Sequence, residues 1–210
     1  MRLVDTPIAS LHTHPMTLAD KFTTSRLIMA PVFFILYLLP GFAPSVAPAL
    51  WTVPVLWILF VASEITDMLD GKMARKRGEV SDFGKLYDPF ADTLTQITFF
   101  LCFIIDGILP SFLFLLVIYR EFSILFVRNL LLKRGITLGA RILGKIKTVT
   151  YIVAAGVALL AASLLRLGLN EEFYRWTVIA AQVIFAVSVL FSVASFVEYF
   201  SFFLKNSDKK

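Results

Sequence analysis

Six stretches of this chain, at 27–47, 51–65, 90–105, 109–127, 149–165 and 176–203, are apolar over or close to the length that crosses a bilayer. As helix, that crossing takes roughly 17–25 residues. Inside hydrocarbon no water satisfies the backbone, so each such stretch closes its own hydrogen bonds as an α-helix. The breaks fall at turn-forming residues: Pro40-Gly41, Asp106-Gly107, Pro110, Gly135 and Gly168. With 58% hydrophobic and 17% charged residues in 210, a soluble domain is excluded, because that much apolar surface exceeds what one core hides. The fold class is an all-α integral membrane protein with six transmembrane helices in one bundle. The lone cysteine, Cys102, lies in an apolar run and reads as a small core residue.

The basic residues orient these spans. Arg2, Lys21 and Arg26 precede the first, and Lys72, Arg75, Lys76, Arg77 and Lys85 join the second to the third. Arg120, Arg128, Lys133, Arg134, Arg141, Lys145 and Lys147 lie in and around the fourth-to-fifth connection, and Lys205, Lys209 and Lys210 form the tail. Only Arg166 and Arg175 of the 20 Lys and Arg fall on the other side. The positive-inside rule then makes both termini cytoplasmic. Residues 17–26 read as a short juxtamembrane helix capped by Thr17, with Asp20 three residues on. His12 and His14 have no partner ligands nearby and read as part of a polar tail.

Four aspartates sit at the cytoplasmic mouth of this apolar chain, at Asp67, Asp70, Asp88 and Asp92. On a helix advancing about 100° per residue, Asp67, Asp70, Gly71 and Ala74 share a face, while Gly84, Asp88 and Asp92 follow one another at i, i+4, i+8. If the two helix ends meet, the carboxylates converge and repel unless cations lie between them. An oxygen-only ligand set favours Mg²⁺ or Mn²⁺. Two such ions about 4 Å apart polarise a phosphoryl group and steady a leaving phosphate. Gly71, Ala74 and Gly84 lack bulk where a nucleotide would approach the backbone, and Arg75 offers a fork to phosphate. Lys76 and Arg77 read as anchors of the cytoplasmic face. Glu64, one turn before Asp67, either supports the metal ligands or points at a neighbouring helix.

The full pattern D-x-x-D-G-x-x-A-R-x8-G-x3-D-x3-D, filled by Asp67, Asp70, Gly71, Ala74, Arg75, Gly84, Asp88 and Asp92, resembles the signature of the CDP-alcohol phosphatidyltransferase family. The resemblance implies that the first three aspartates hold metal, that the glycines, alanine and arginine line a CDP pocket, and that Asp92 is the general base. It also implies six-span helical proteins, commonly homodimers, at the inner cell membrane. Thr23-Thr24-Ser25-Arg26 with Pro31, Arg120-Glu121, Arg128, the run Gly144-Lys145-Ile146-Lys147-Thr148, and Glu198-Tyr199 resemble motifs of the branch that makes phosphatidylglycerophosphate. That branch transfers a phosphatidyl group from CDP-diacylglycerol to glycerol-3-phosphate. Thr93, where many relatives have lysine, departs from the pattern and leaves serine, inositol phosphate or choline open as acceptor.

Phosphate on the acceptor needs cations, and Arg120, Arg128, Arg141, Lys145 and Lys147 are the candidates. Lys145 and Lys147 are two apart and point differently on a regular helix. Arg120 beside Glu121 reads as either a structural ion pair or a substrate contact. Phe191, Phe196, Tyr199, Phe200, Phe202 and Phe203 read as a lipid-facing or dimer-packing stripe. The resemblance begins near Met16, which divides the chain into an extension at 1–15, the transmembrane domain at 16–204 and a basic tail at 205–210. Deleting residues 1–15 is expected to leave activity intact, and loss of most activity in a chain starting at Met16 would contradict this. A transporter is disfavoured because the acids cluster at one membrane face with no duplicated half. A scaffold would leave the eight-place motif without a use, and no nucleic acid is expected as a partner.

Overall fold

The computed structural model describes residues 18–77, 84–133 and 142–207. The side chains of residues 18, 19, 70–77, 85, 132, 133 and 205–207 lie outside that description, as do residues 1–17, 78–83, 134–141 and 208–210. Every regular element among the described residues is a helix: α1 (Leu18–Phe42), α2 (Ala49–Arg77), α3 (Gly84–Ile105), α4 (Ser111–Lys133), α5 (Ile142–Arg166) and α6 (Glu171–Ser207). Helix α1 packs on α2 and α3, α5 lies along α6, and α4 fits against α6 and α3.

Five helices, all but α4, are long and apolar enough to cross a membrane, which makes this a multi-pass membrane protein by length and composition. Helix α4 misses that standard because Arg120, Glu121 and Arg128 interrupt it. The expected juxtamembrane helix is not a separate element. Residues 18–26 run without a break into the first apolar stretch as part of α1. The Thr24 hydroxyl donates to the Asp20 carbonyl (2.7 Å) and Ser25 to the Phe22 carbonyl (2.7 Å). These polar side chains thus meet their hydrogen bonds on the helix backbone itself and need no turn to do so.

Two chain reversals explain Gly107 and Gly168 among the expected breaks, whereas α1 continues through Pro40-Gly41 to Phe42 and Gly135 lies outside the described residues. At Gly107 (φ 71°) the Ile108 amide donates to the Phe103 carbonyl and the Gly107 amide to Ile104. At Gly168 (φ 62°) Leu169 and Gly168 make the same pair of bonds to Leu164 and Leu165. Both are left-handed caps that only glycine adopts without strain. Asn170 then caps α6, its Oδ1 accepting from the Phe173 amide at 3.1 Å, with Glu171 and Glu172 in the positive first turn.

The core is aromatic where α1, α2 and α3 meet, with Phe33 against Phe99 at 4.6 Å and Phe60 against Phe99 at 5.4 Å between ring centres. Along α5, which packs mainly on α6, it is built from small residues: Ala154, Ala155, Ala158, Ala161 and Ala162 are all buried, and such residues let helix backbones approach. Cys102 is fully buried, as the sequence suggested. At the end of α3 away from the aspartates, Tyr37 donates to Asp106 at 2.7 Å, and Arg166 donates to the Tyr37 carbonyl (2.8 Å) while stacking 3.9 Å over its ring. This clasp ties α1, α3 and α5 roughly 27 Å along α3 from Asp88, at 1.5 Å per residue, and leaves the other end to carry the chemistry.

Candidate active site

Two helices bring three of the four motif aspartates together. Asp88 and Asp92 lie one turn apart on α3, and Asp67 projects from α2. One carboxylate oxygen of each lies within 4.8 Å of the others. Donor oxygens around a magnesium ion with roughly 2.1 Å bonds stand about 3–4 Å apart, so a slight contraction seats an ion among them. The donor set is all carboxylate, which suits a hard divalent cation and no soft one. Asp70, Gly71, Ala74 and Arg75 continue α2, but their side chains lie outside the described residues, and Arg141 lies outside them altogether. Gly84 opens α3 one turn before Asp88.

Among the described residues, the cation that pairs with these acids is Arg26. It is 2% exposed on α1, and its guanidinium donates through Nη1 to Asp67 and Asp92 and through Nη2 to Asp88. Three like charges at such spacing repel by several kcal/mol in a partly dry site unless a cation intervenes, and Arg26 supplies it. In the sequence Arg26 stands out only within T-x-x-R and among the basic residues before the first span, and neither gives it a site role. The available signal was an arginine on a future membrane helix, which is costly without a partner.

A second charged cluster lies deeper, on α4, α5 and α6. Glu121 accepts from Arg120 Nη1 (2.8 Å) and from Lys147 Nζ (2.9 Å), and all three side chains are at most 10% exposed. Arg120 also donates to the Ser192 carbonyl (3.1 Å) and to Ser195 Oγ (3.3 Å). Lys147 sits 4.8 Å over the Tyr151 ring, whose hydroxyl donates to Ser192 at 2.9 Å. Arg120 is therefore ion-paired with Glu121.

A cavity of about 240 Å³ joins the two clusters. Asp67, Asp92, Thr93 and Gln96 border it on one side, and Arg120, Arg128, Lys145 and Lys147 on the other. Both lysines reach it despite their two-residue spacing. Lys147 is buried and paired, whereas Lys145 is exposed. Arg128 differs from Arg120 in having spare donors, since its buried Nε has no partner. Tyr199 corrects the aromatic-stripe expectation. It is 5% exposed and lines the cavity, because it continues the inward face of α6 set by Ser188, Ser192 and Ser195 at helical spacing. Phe196, Phe200 and Phe203 do stack along α6, at 5.7 and 6.3 Å between centres.

The sequence profile of the CDP-alcohol phosphatidyltransferase family matches residues 16–194. The chain is 37% identical over 195 residues to the CDP-diacylglycerol–glycerol-3-phosphate 3-phosphatidyltransferase of Treponema pallidum (strain Nichols), covering 90% of this chain and 89% of that one. It is 32% identical over 188 residues to the protein of the same name from Bacillus subtilis (strain 168), covering 88% and 93%.

Proposed function

Because the chain belongs to the CDP-alcohol phosphatidyltransferase family, we propose that it transfers the phosphatidyl group of CDP-diacylglycerol to glycerol-3-phosphate, giving phosphatidylglycerophosphate and CMP. One observation carries this reading: Asp67 and Asp92 of the aspartate triad and a basic wall border one cavity. That arrangement suits an acceptor with a hydroxyl at one end and a phosphate at the other. Similarity over nearly the whole length to two proteins named for this reaction supports it.

Asp67, Asp88 and Asp92, with Asp70 from the motif, would hold Mg²⁺ or Mn²⁺, and the fourfold acid count suits two ions. When bound, the metal supplies charge neutralisation to the diphosphate and to the departing CMP phosphate. Gly71, Ala74, Arg75 and Gly84 border the CDP moiety. Asp92 takes the proton of the acceptor hydroxyl, and the oxygen so released attacks the phosphorus that carries diacylglycerol. Alignment and charge complementarity do most of the work in such a transfer. Arg128 and Lys145 fix the acceptor phosphate, while the Arg120–Glu121–Lys147 cluster holds the wall on which they stand.

Helix α4 completes six spans in this reading. Arg120 and Glu121 are 7% and 5% exposed and paired inside the bundle, which spares them contact with lipid. The bias of basic residues toward this end of the chain's spans supports a site, and both termini, on the cytoplasmic side of the inner membrane. The family resemblance favours a homodimer.

Two measurements test the assignment. The purified chain, offered CDP-diacylglycerol with glycerol-3-phosphate, serine, inositol phosphate or choline, is expected to release CMP fastest with glycerol-3-phosphate. Preference for another acceptor would reassign the substrate within the same chemistry. Arg128→Ala is expected to raise KM for glycerol-3-phosphate roughly 10- to 100-fold with kcat little changed. That range is the loss of about 1.5–3 kcal/mol for a charged hydrogen-bonded contact. An unchanged KM would remove Arg128 from the acceptor pocket.

A further inference from the structure

Glu64 is unexplained by the chemistry above. It lies within the apolar span Ala49–Leu69 of α2, is half-buried, and makes no hydrogen bond or ion pair among the described residues. A carboxylate in a membrane helix is seldom kept without a partner. Glu64 borders a small cavity of about 20 Å³ together with Arg26, Ser63 and Asp67. Thr95 borders the same space, and its buried hydroxyl also lacks a partner. Beside the bound guanidinium there is therefore a polar chamber with unmet hydrogen-bonding capacity.

Arg26 holds the same three carboxylates that would bind a divalent cation. Both cannot occupy the space between oxygens that lie within 4.8 Å of each other. A guanidinium kept there would also repel the ion directly. Arg26 therefore needs a second anionic seat within reach of its flexible stem. Glu64 is three residues before Asp67 on the same face of α2, about 5–6 Å away between Cβ atoms.

Resting on the metal-assisted reading above, we propose that Glu64 is that seat: when a divalent cation takes the Asp67, Asp88 and Asp92 oxygens, the Arg26 guanidinium moves about one turn along α2 and pairs with Glu64. Glu64 is thus a positioning residue. It promotes metal binding by accepting the arginine that otherwise competes for the triad, and it touches neither metal nor substrate.

The test is Mn²⁺ affinity, read by electron paramagnetic resonance on the full chain in detergent without substrate. Glu64→Gln is expected to weaken Mn²⁺ binding roughly tenfold, inside the 5- to 150-fold range of coupling between sites. Arg26→Gln is expected to tighten it by removing the competitor. In the double variant the Glu64 change is expected to matter less than about twofold, because Glu64 acts only through Arg26. Equal weakening by Glu64→Gln in both backgrounds would show that Glu64 acts by its own charge and would overturn the proposal, as would no effect in the wild-type background. If Arg26→Gln is not recovered as a monodisperse protein, Arg26→Lys replaces it. Lysine engages one carboxylate at a time, so the Glu64 effect must then shrink at least about threefold, and an undiminished effect would overturn the proposal. Absence of Mn²⁺ binding in the unsubstituted chain would instead contradict the metal site itself.

Discussion

Asp92→Asn is expected to release CMP about 10²–10⁴-fold more slowly than the parent while still binding CDP-diacylglycerol. This range is what positioned acid–base catalysis typically contributes. The expectation follows from where Asp92 stands. It shares the triad with Asp67 and Asp88, yet it also borders the cavity that runs to the basic wall. In the proposed reaction it would meet the acceptor hydroxyl as well as the metal. Asparagine keeps the shape and the hydrogen-bonding oxygen but does not accept a full proton. A rate within a few-fold of the parent in detergent micelles would remove Asp92 as the base. Loss of nucleotide binding in parallel with turnover would assign it to metal holding alone.

Glu121→Ala is expected to be the most destabilising single substitution in the described bundle. Its carboxylate neutralises two buried cations at once, Arg120 at 2.8 Å and Lys147 at 2.9 Å. Removing one partner of a buried ion pair leaves uncompensated charge and costs about 3–5 kcal/mol. At about 2–4 °C per kcal/mol for a chain of this size, the apparent melting temperature in detergent should fall by roughly 10 °C. Lys147→Met in the same chain removes one stranded cation, so the double variant should lose less than the sum of the single changes. Strictly additive losses, or a shift of only a degree or two for Glu121→Ala, would mean that the cluster is hydrated and does not brace the wall.

Much of the architecture could be read from residue order alone, because bilayer thickness and backbone satisfaction leave helices as the only solution for these apolar runs. The ends of the helices were less legible. Helix α1 starts at Leu18, well before the apolar run begins at 27, and α6 continues for 37 residues. At 1.5 Å per residue that is roughly 55 Å, longer than a bilayer core. Hydropathy locates the part in lipid, whereas helical hydrogen bonding carries on past it. The aspartates were legible because i, i+4 spacing is local. The engagement of Arg26 by Asp67, Asp88 and Asp92 was not, since it depends on three helices converging from positions 41 to 66 residues apart. Tyr199 was hidden among six aromatics of similar hydrophobicity. The spacing of Ser188, Ser192, Ser195 and Tyr199 marks one helical face and would have separated it from the stacked phenylalanines.

The central claim is that carboxylates from α2 and α3 hold a divalent cation against the diphosphate of a lipid-linked nucleotide. It is tested most directly by following CMP release from CDP-diacylglycerol and glycerol-3-phosphate by the purified chain, first stripped of metal with EDTA and then titrated with Mg²⁺ or Mn²⁺. The account predicts no turnover above background in EDTA and recovery as either ion is added. Turnover in excess EDTA at the rate seen with metal would contradict it.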